Sequence, residues 1–332
     1  MSNPASNSDW KIFTGTGEGD INRLPPPPPW RNFRDDDKRF DERQREKGET
    51  FRAPKEAIEM VNAGLYLRRP LLITGNPGTG KSSLAYDVAQ ELNLGAVLKW
   101  AITTRTTLKD GLYSYDAIAR LQDAQLRPEE ARDYSEMIGN YITLNALGTA
   151  FLPSNQPRVL LIDEIDKSDI DLPNDLLNLF EDGEFAIPEL QRIKTPEVEV
   201  RTSDRTGAEQ GKATIKNGIV RCRAFPLVIM TSNNERDFPP PFLRRCLRLE
   251  MPTPKTAKEL SEIVQRHLGS EVLPQVETLI QEFFDSSKKG TLATDQLLNA
   301  IYLFTREQTP SEKEREDLKK RLLQFLSSNE GI

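Results

Sequence analysis

The sequence predicts an α/β protein in which a parallel sheet is sandwiched between helices and followed by a small helical domain. Two observations point there. Short apolar runs, Leu71-Leu-Ile73, Val159-Leu-Leu-Ile162 and Leu227-Val-Ile-Met230, alternate with stretches of helical spacing, as strands covered on both faces do. After Pro252 and Pro254 such runs stop, and only helix-length amphipathic segments remain.

Composition narrows the class. A chain of 332 residues allows about two domains. Its 45 basic and 51 acidic side chains leave a net charge of −6, which argues against a chain built to neutralise a phosphate backbone. Two cysteines, Cys222 and Cys246, make neither a disulfide framework nor a zinc site, which fits a reducing compartment. No apolar run approaches the roughly 20 residues a bilayer needs, and residues 1–8 hold no apolar signal core. The expectation is a cytoplasmic protein without membrane insertion.

Taken in order, residues 1–49 read as a disordered, proline-rich segment. Five prolines at 25–29 favour polyproline II, Trp30 follows, and a dense charge run occupies 34–49. Two readings of 25–30 stand: a solvated tail, or a segment that docks onto a neighbouring subunit or a partner. Residues 50–252 form the α/β core. Helical spacing at 53–67 leads to a strand at 70–74, a helix at 81–92, a strand at 96–103 and helical patterns at 109–125 and 128–147. An insertion at about 183–226 alternates at Val198 and Val200 and turns at Asn217-Gly218, a hairpin signal. Its polar stretch 202–212 reads as a mobile tip suited to contacting a partner. Residues 253–332 read as a helical domain with helices at about 256–268, 271–286, 294–307 and 311–327. Thr256/Glu259 and Ser311/Glu314 have capping-box spacing, and Leu260, Ile263, Val264, Leu297, Leu298, Ile301, Leu322 and Leu323 are its expected core. Tyr113 and Tyr115 read as aromatic core or rim ahead of a role facing a ring pore, and the single His267 makes no metal site.

The chemistry lies where strands end. Gly75-Asn76-Pro77-Gly78-Thr79-Gly80-Lys81-Ser82-Ser83 follows the first strand and opens a helix, the context a P-loop requires. Its glycines let backbone N–H groups converge on phosphate oxygens, and the helix N-terminus adds its positive end. Lys81 is placed for the β- and γ-phosphates, and the Ser82 hydroxyl for Mg²⁺. The third strand ends in Asp163 and Glu164, where ligands bind in parallel sheets. Asp163 is the expected second Mg²⁺ anchor and Glu164 the base that deprotonates the attacking water. The fourth strand ends in Thr231-Ser-Asn233-Asn234, able to reach a γ-phosphate or the water. Arg244 and Arg245 close an apolar helical turn.

These residues together resemble the AAA+ ATPases, specifically their MoxR-like branch. The likeness rests on the loop 75–82, the strand 159–166, residues 166–185, the polar strand end 231–239, and Leu243-Arg-Arg-Cys246. It implies a P-loop NTPase αβα sandwich with a helical lid, a hexameric ring, and ATP sites shared between subunits. It also implies Asn233 as the first sensor, Arg245 as an arginine finger with Arg244 as a second candidate, and a von Willebrand factor A-domain partner in chaperone-like assembly, metal insertion or defence. One departure stands out: residues 291–298, where many relatives carry a second sensor arginine, hold neither Arg nor Lys. Competing functions are a nucleic-acid loader or helicase-like translocase, against which the acidic balance counts, and a nucleotide-gated signalling scaffold.

Overall fold

The computed structural model describes residues 10–31, 39–126, 133–206, 209–288, 290, 292–306 and 309–324. In chain order, α1 (Arg39–Glu49) and α2 (Lys55–Leu67) precede β1 (Leu71–Thr74), α3 (Ser83–Glu91) and β2 (Leu98–Ala101). Then come α4 (Leu108–Leu112), β3 (Tyr113–Tyr115), α5 (Ala117–Leu126), β4 (Ile142–Leu144), α6 (Ala146–Ala150) and β5 (Val159–Asp163). The insertion follows: α7 (Leu172–Asp182), β6 (Glu184–Ala186), α8 (Pro188–Gln191), β7 (Glu197–Thr206), β8 (Glu209–Lys216) and β9 (Ile219–Arg221). The chain then continues with β10 (Leu227–Thr231), α9 (Pro240–Arg245), β11 (Leu247–Glu250), α10 (Ala257–Leu268), α11 (Leu273–Ser287), α12 (Thr294–Phe304) and α13 (Glu312–Leu322). Among the described residues no helix is long and apolar enough to cross a membrane.

The chain divides into two units, one of Asp36–Gly75 and Gly80–Pro252, the other of Met1–Asp35, Asn76–Thr79 and Thr253–Ile332. In the first, a parallel sheet runs β11-β1-β10-β5-β2. Its apolar runs are buried on both faces because successive side chains point to opposite sides. Leu72, Leu160, Ile162, Val228 and Met230 enter one core. Leu71, Ile73, Val159, Leu161, Leu227 and Ile229 enter the other, beneath α2 and α3. The edge strand β11 follows the arginine turn directly and was not among the expected strands. It pairs with β1 from Leu71 to Thr74.

Several expectations are corrected. The segments 109–125 and 128–147, expected as two helices, contain β3 and β4, which begin a second sheet ordered β3-β4-β7-β8-β9-β6; residues 127–132 lie outside the described residues. Three-residue strands show no period of their own, and pairing defines them: β4 pairs with β7, and β3 with β4. Within 202–212, Thr202–Thr206 is strand rather than free tip. Thr202 is buried, and Ser203 donates its Oγ to the Leu144 carbonyl at 3.0 Å while its N–H reaches Thr149 Oγ1 at 3.0 Å. These hydroxyls are satisfied inside the fold, so polarity there did not mean a loop. Residues 207 and 208 lie outside the described residues. The Asn217-Gly218 turn has positive φ at both positions, 51° and 65°, as a two-residue hairpin needs.

The first 49 residues also differ from the expectation, with residues 1–9 and 32–38 outside the described ones. Helix α1 lies against α3: the Gln44 side chain accepts from Val97 N–H at 2.6 Å and donates to the Val97 carbonyl at 3.3 Å, completing an edge of backbone. Against α3 itself, Gly48 is buried beside Tyr86, Lys47 lies 4.9 Å over the Tyr86 ring, and Gln90 donates to Glu49 at 3.4 Å. Residues 10–31 include short 3-10 turns at Ile21–Arg23 and Pro29–Arg31.

The helical unit buries Leu260 and Val264 of α10, Val276, Ile280 and Phe283 of α11, and Leu297, Leu298 and Ile301 of α12. Ile263, Leu322 and Leu323, expected as core, are only half-buried. Ser311 and Glu314 close a reciprocal cap on α13, whereas on α10 only half of the box forms: Thr256 Oγ1 accepts the Glu259 N–H at 3.2 Å, and the Glu259 carboxylate takes the Lys255 N–H instead of that of Thr256.

One backbone approach in the α/β unit tests this packing. A Cβ on Gly148 of α6 would lie 1.9 Å from the Leu112 carbonyl oxygen, and backbone on both sides must move to admit it. Gly148→Ala is expected to cost about 3 kcal/mol, read as a lower urea midpoint with an unchanged slope. An unchanged midpoint would refute the close approach.

Candidate active site

The carboxyl ends of β1, β10 and β5 are adjacent in the sheet, and the chain reverses its direction of winding between β1 and β10. Such a switch point opens a crevice for ligands. Gly75 follows β1, Thr231 ends β10 and Asp163 ends β5.

Asp163 is the hub. Its Oδ1 accepts from Ser82 Oγ at 2.7 Å and from Thr231 Oγ1 at 2.8 Å, and its Oδ2 meets Lys99 Nζ at 2.5 Å. Burial alone would push its carboxyl above the usual carboxylate value. Hydrogen bonds from Lys99, Ser82 and Thr231, with the Lys99 charge, outweigh that and hold the carboxyl below the usual range. It is therefore ionised at neutral pH, as a divalent-cation ligand must be.

Glu164, next in the chain, sits in the left-handed region at φ 63° and ψ 49°. A non-glycine residue there costs of order 1 kcal/mol, and surrounding contacts must hold it. They do: its N–H donates to Thr231 Oγ1 at 2.9 Å, and its carboxylate pairs with Lys167 at 2.8 Å. The turn swings Glu164 away from Asp163's environment, leaving its side chain 44% exposed. Two neighbouring acids thus receive different surroundings.

Lys81 is 8% exposed and donates to the Gly75 carbonyl at 2.7 Å. Burial pulls its ammonium down from the ordinary lysine value, and Asp166, Asp163 and Glu164 partly restore it. The loop around it is backbone-lined. Gly75, Gly78 and Gly80 have φ of 136°, 75° and 83°, and a Cβ at Gly80 would strike the Phe51 ring at 2.4 Å. Ser82 precedes α3 and Ser83 opens it. Thr79 Oγ1 donates to the Asn76 carbonyl at 2.9 Å. Pro77 lies within the same Asn76–Thr79 stretch, which belongs to the helical unit.

Behind this cluster, buried Asp166 accepts the backbone N–H groups of Asn233 at 2.8 Å and Glu235 at 3.1 Å through Oδ2. Arg236 donates to the Ser168 carbonyl at 2.6 Å. The Asn233 turn is therefore tied to the chain just after β5.

The donor set fits a magnesium triphosphate. An ionised carboxylate stands beside a serine hydroxyl, a buried lysine faces three acids, and the glycine loop offers backbone where side chains would obstruct.

A family model described as the AAA domain, dynein-related subfamily, matches residues 70–246, more than half of the chain. The chain belongs to that family. No curated protein matches the sequence. Among solved structures, a lysine-to-arginine mutant of RuvB from Thermotoga maritima is similar at 14% identity, over 75% of this chain and 60% of that one, with a TM-score of 0.37.

Within this AAA domain the structure brings Lys81, Ser82, Asp163 and Glu164 into one neighbourhood, with Asn233 tied to it through Asp166. Arg244 and Arg245 are exposed on α9. Arg245 pairs with Glu181 of α7, and Arg69 donates to the carbonyls of both arginines. Tyr113 is buried with its hydroxyl on Glu189, and Tyr115 accepts from Arg120. In the stretch lacking a second sensor, Thr291 lies outside the described residues. Sequence reasoning assigned no role to Lys99, Asp166 or Lys167. Lys99 had one signal, a lone cation alternating with Leu98 and Trp100 in an apolar strand.

Proposed function

We propose that this AAA protein hydrolyses ATP to ADP and phosphate in a homo-oligomeric ring, and that the cycle remodels a protein partner. The observation carrying the reading is the convergence of Ser82 and Thr231 on ionised Asp163, beside buried Lys81. Ser82 and Asp163 would hold Mg²⁺, which when bound neutralises charge on the phosphate oxygens. Lys81 binds the β- and γ-phosphates. Glu164 takes the proton of the attacking water, and Asn233 orients that water.

Arg245 of a neighbouring subunit completes the site, with Arg244 beside it, as charge on the transferred phosphoryl group requires. Its pairing with Glu181 is half-exposed, and such pairs are worth about 0–1 kcal/mol, so releasing it costs little. The ring size of six, the MoxR-like assignment and a von Willebrand factor A-domain partner in a bacterial conflict system come from the motif resemblance set out above.

Mixing variants tests the shared site. Arg245→Ala and Glu164→Gln are each expected to be inactive alone, and a mixture should regain Mg²⁺-dependent phosphate release. The neighbour that keeps Arg245 then serves the subunit that keeps Glu164. Wild-type turnover by Arg245→Ala alone would refute the reading. Steeply salt-dependent stimulation by DNA or RNA would favour a nucleic-acid substrate over a protein one.

A further inference from the structure

The proline segment and the phosphate loop meet the same helix. On α12, Asn299, Tyr302 and Arg306 follow helical spacing, with Arg306 just past the helix's end, so the three share one face. Trp30 Nε1 donates to Asn299 Oδ1 at 3.2 Å, and the Trp30 and Tyr302 rings meet edge-on with centroids 5.8 Å apart. Tyr302 OH donates to the Pro26 carbonyl at 2.5 Å, and the Arg306 guanidinium carbon lies 3.7 Å from the centroid of the Tyr302 ring. Trp30 also packs against the apolar core of the helical unit. Further back, Lys11 pairs with Glu314 at 2.8 Å. An aromatic ring, an amide acceptor for indole N–H and a hydroxyl for a proline carbonyl suit a proline segment that ends in a tryptophan.

The N-terminal end of α12 borders the phosphate loop. A Cβ on Gly78 would lie 2.8 Å from the Thr294 nitrogen and 3.4 Å from the Ala293 carbonyl carbon, so loop and helix start are in direct backbone contact. From Thr294 to Tyr302 is eight residues, about 12 Å of helix. Thr294, Leu297, Leu298, Ala300 and Ile301 are buried along it, so this stretch moves as one body.

We propose that residues 25–30 are a strap read by the Asn299–Tyr302–Arg306 face of the same chain, and that strap docking and nucleotide occupancy of the Gly75–Ser82 loop are coupled through α12. The inference rests on the nucleotide reading above. A docked strap orders α12, so nucleotide binding no longer bears that ordering cost. By linkage, nucleotide tightens the strap by the same factor that the strap tightens nucleotide.

The test uses the full chain and two readouts. First, a fluorescent ADP analogue is titrated into wild type, Trp30→Ala and Tyr302→Phe. Trp30→Ala is expected to weaken binding about fivefold or more, and Tyr302→Phe, which keeps the ring, by less. Second, hydrogen exchange follows residues 24–31 and 294–304 with and without ADP. Both segments should slow with ADP in wild type, and 294–304 should exchange faster in Trp30→Ala even without it. Wild-type ADP affinity with unchanged binding in both variants overturns the coupling. Protection of 24–31 that vanishes on dilution means the strap belongs to a second copy and overturns the same-chain docking. If wild type binds no ADP, the nucleotide reading itself fails, and the inference with it; the exchange of 294–304 in Trp30→Ala still reports the docking separately.

Discussion

Glu164→Gln is expected to lower phosphate release by about 10²–10⁴-fold, the range a positioned general base contributes. ADP and ATP affinity should stay near wild type. Glutamine keeps the shape of the side chain and the backbone N–H that Thr231 holds at 2.9 Å, so the left-handed turn survives. What it loses is a carboxylate able to accept a proton. The lost pairing with Lys167 costs little, since both side chains are about 40% exposed, at 39% and 44%. Steady-state phosphate release together with nucleotide titration checks this. Turnover within tenfold of wild type would remove Glu164 from the chemistry.

Lys81→Ala is expected to weaken nucleotide binding more than about 100-fold, the cost of leaving buried charge unpaired. Lys81 is 8% exposed and faces Asp166, Asp163 and Glu164. Without its cation an incoming polyphosphate meets those acids uncompensated. The Gly75 carbonyl also loses the donor it has at 2.7 Å, so the loop is affected as well as the charge. Nucleotide titration beside far-ultraviolet circular dichroism and a urea curve separates the effects. A folded variant that binds ADP as wild type does would refute the assignment.

Much of this molecule was legible residue by residue, for a physical reason. Strands covered on both faces must be apolar throughout, so β1, β5 and β10 announce themselves. A phosphate loop must contain glycines where φ turns positive, as at Gly75, Gly78 and Gly80. Helix caps are also local, and Ser311 with Glu314 forms one as spaced.

Other features depend on partners far away in the chain and leave little local trace. Strands β3 and β4 are three residues each and exist because β7 pairs with β4. Helix α1 is mostly charged, yet its Gln44 matches the backbone of Val97, 53 residues away. The strap shows the same. Its prolines and Trp30 were visible, but that they lie on Asn299 and Tyr302 of the same chain was not.

At the candidate site, residue types and spacing singled out Lys81, Ser82, Asp163 and Glu164, because phosphate and cation chemistry permit few side chains. Folding added Lys99 on Asp163, Lys167 on Glu164 and Asp166 beneath Asn233. It also set Arg245 against Glu181 rather than against its own phosphate loop. Short-range chemistry can be read along a chain, since it is written in neighbouring residues. Charge pairing and strand pairing depend on distances in space, and those exist only once the chain has folded.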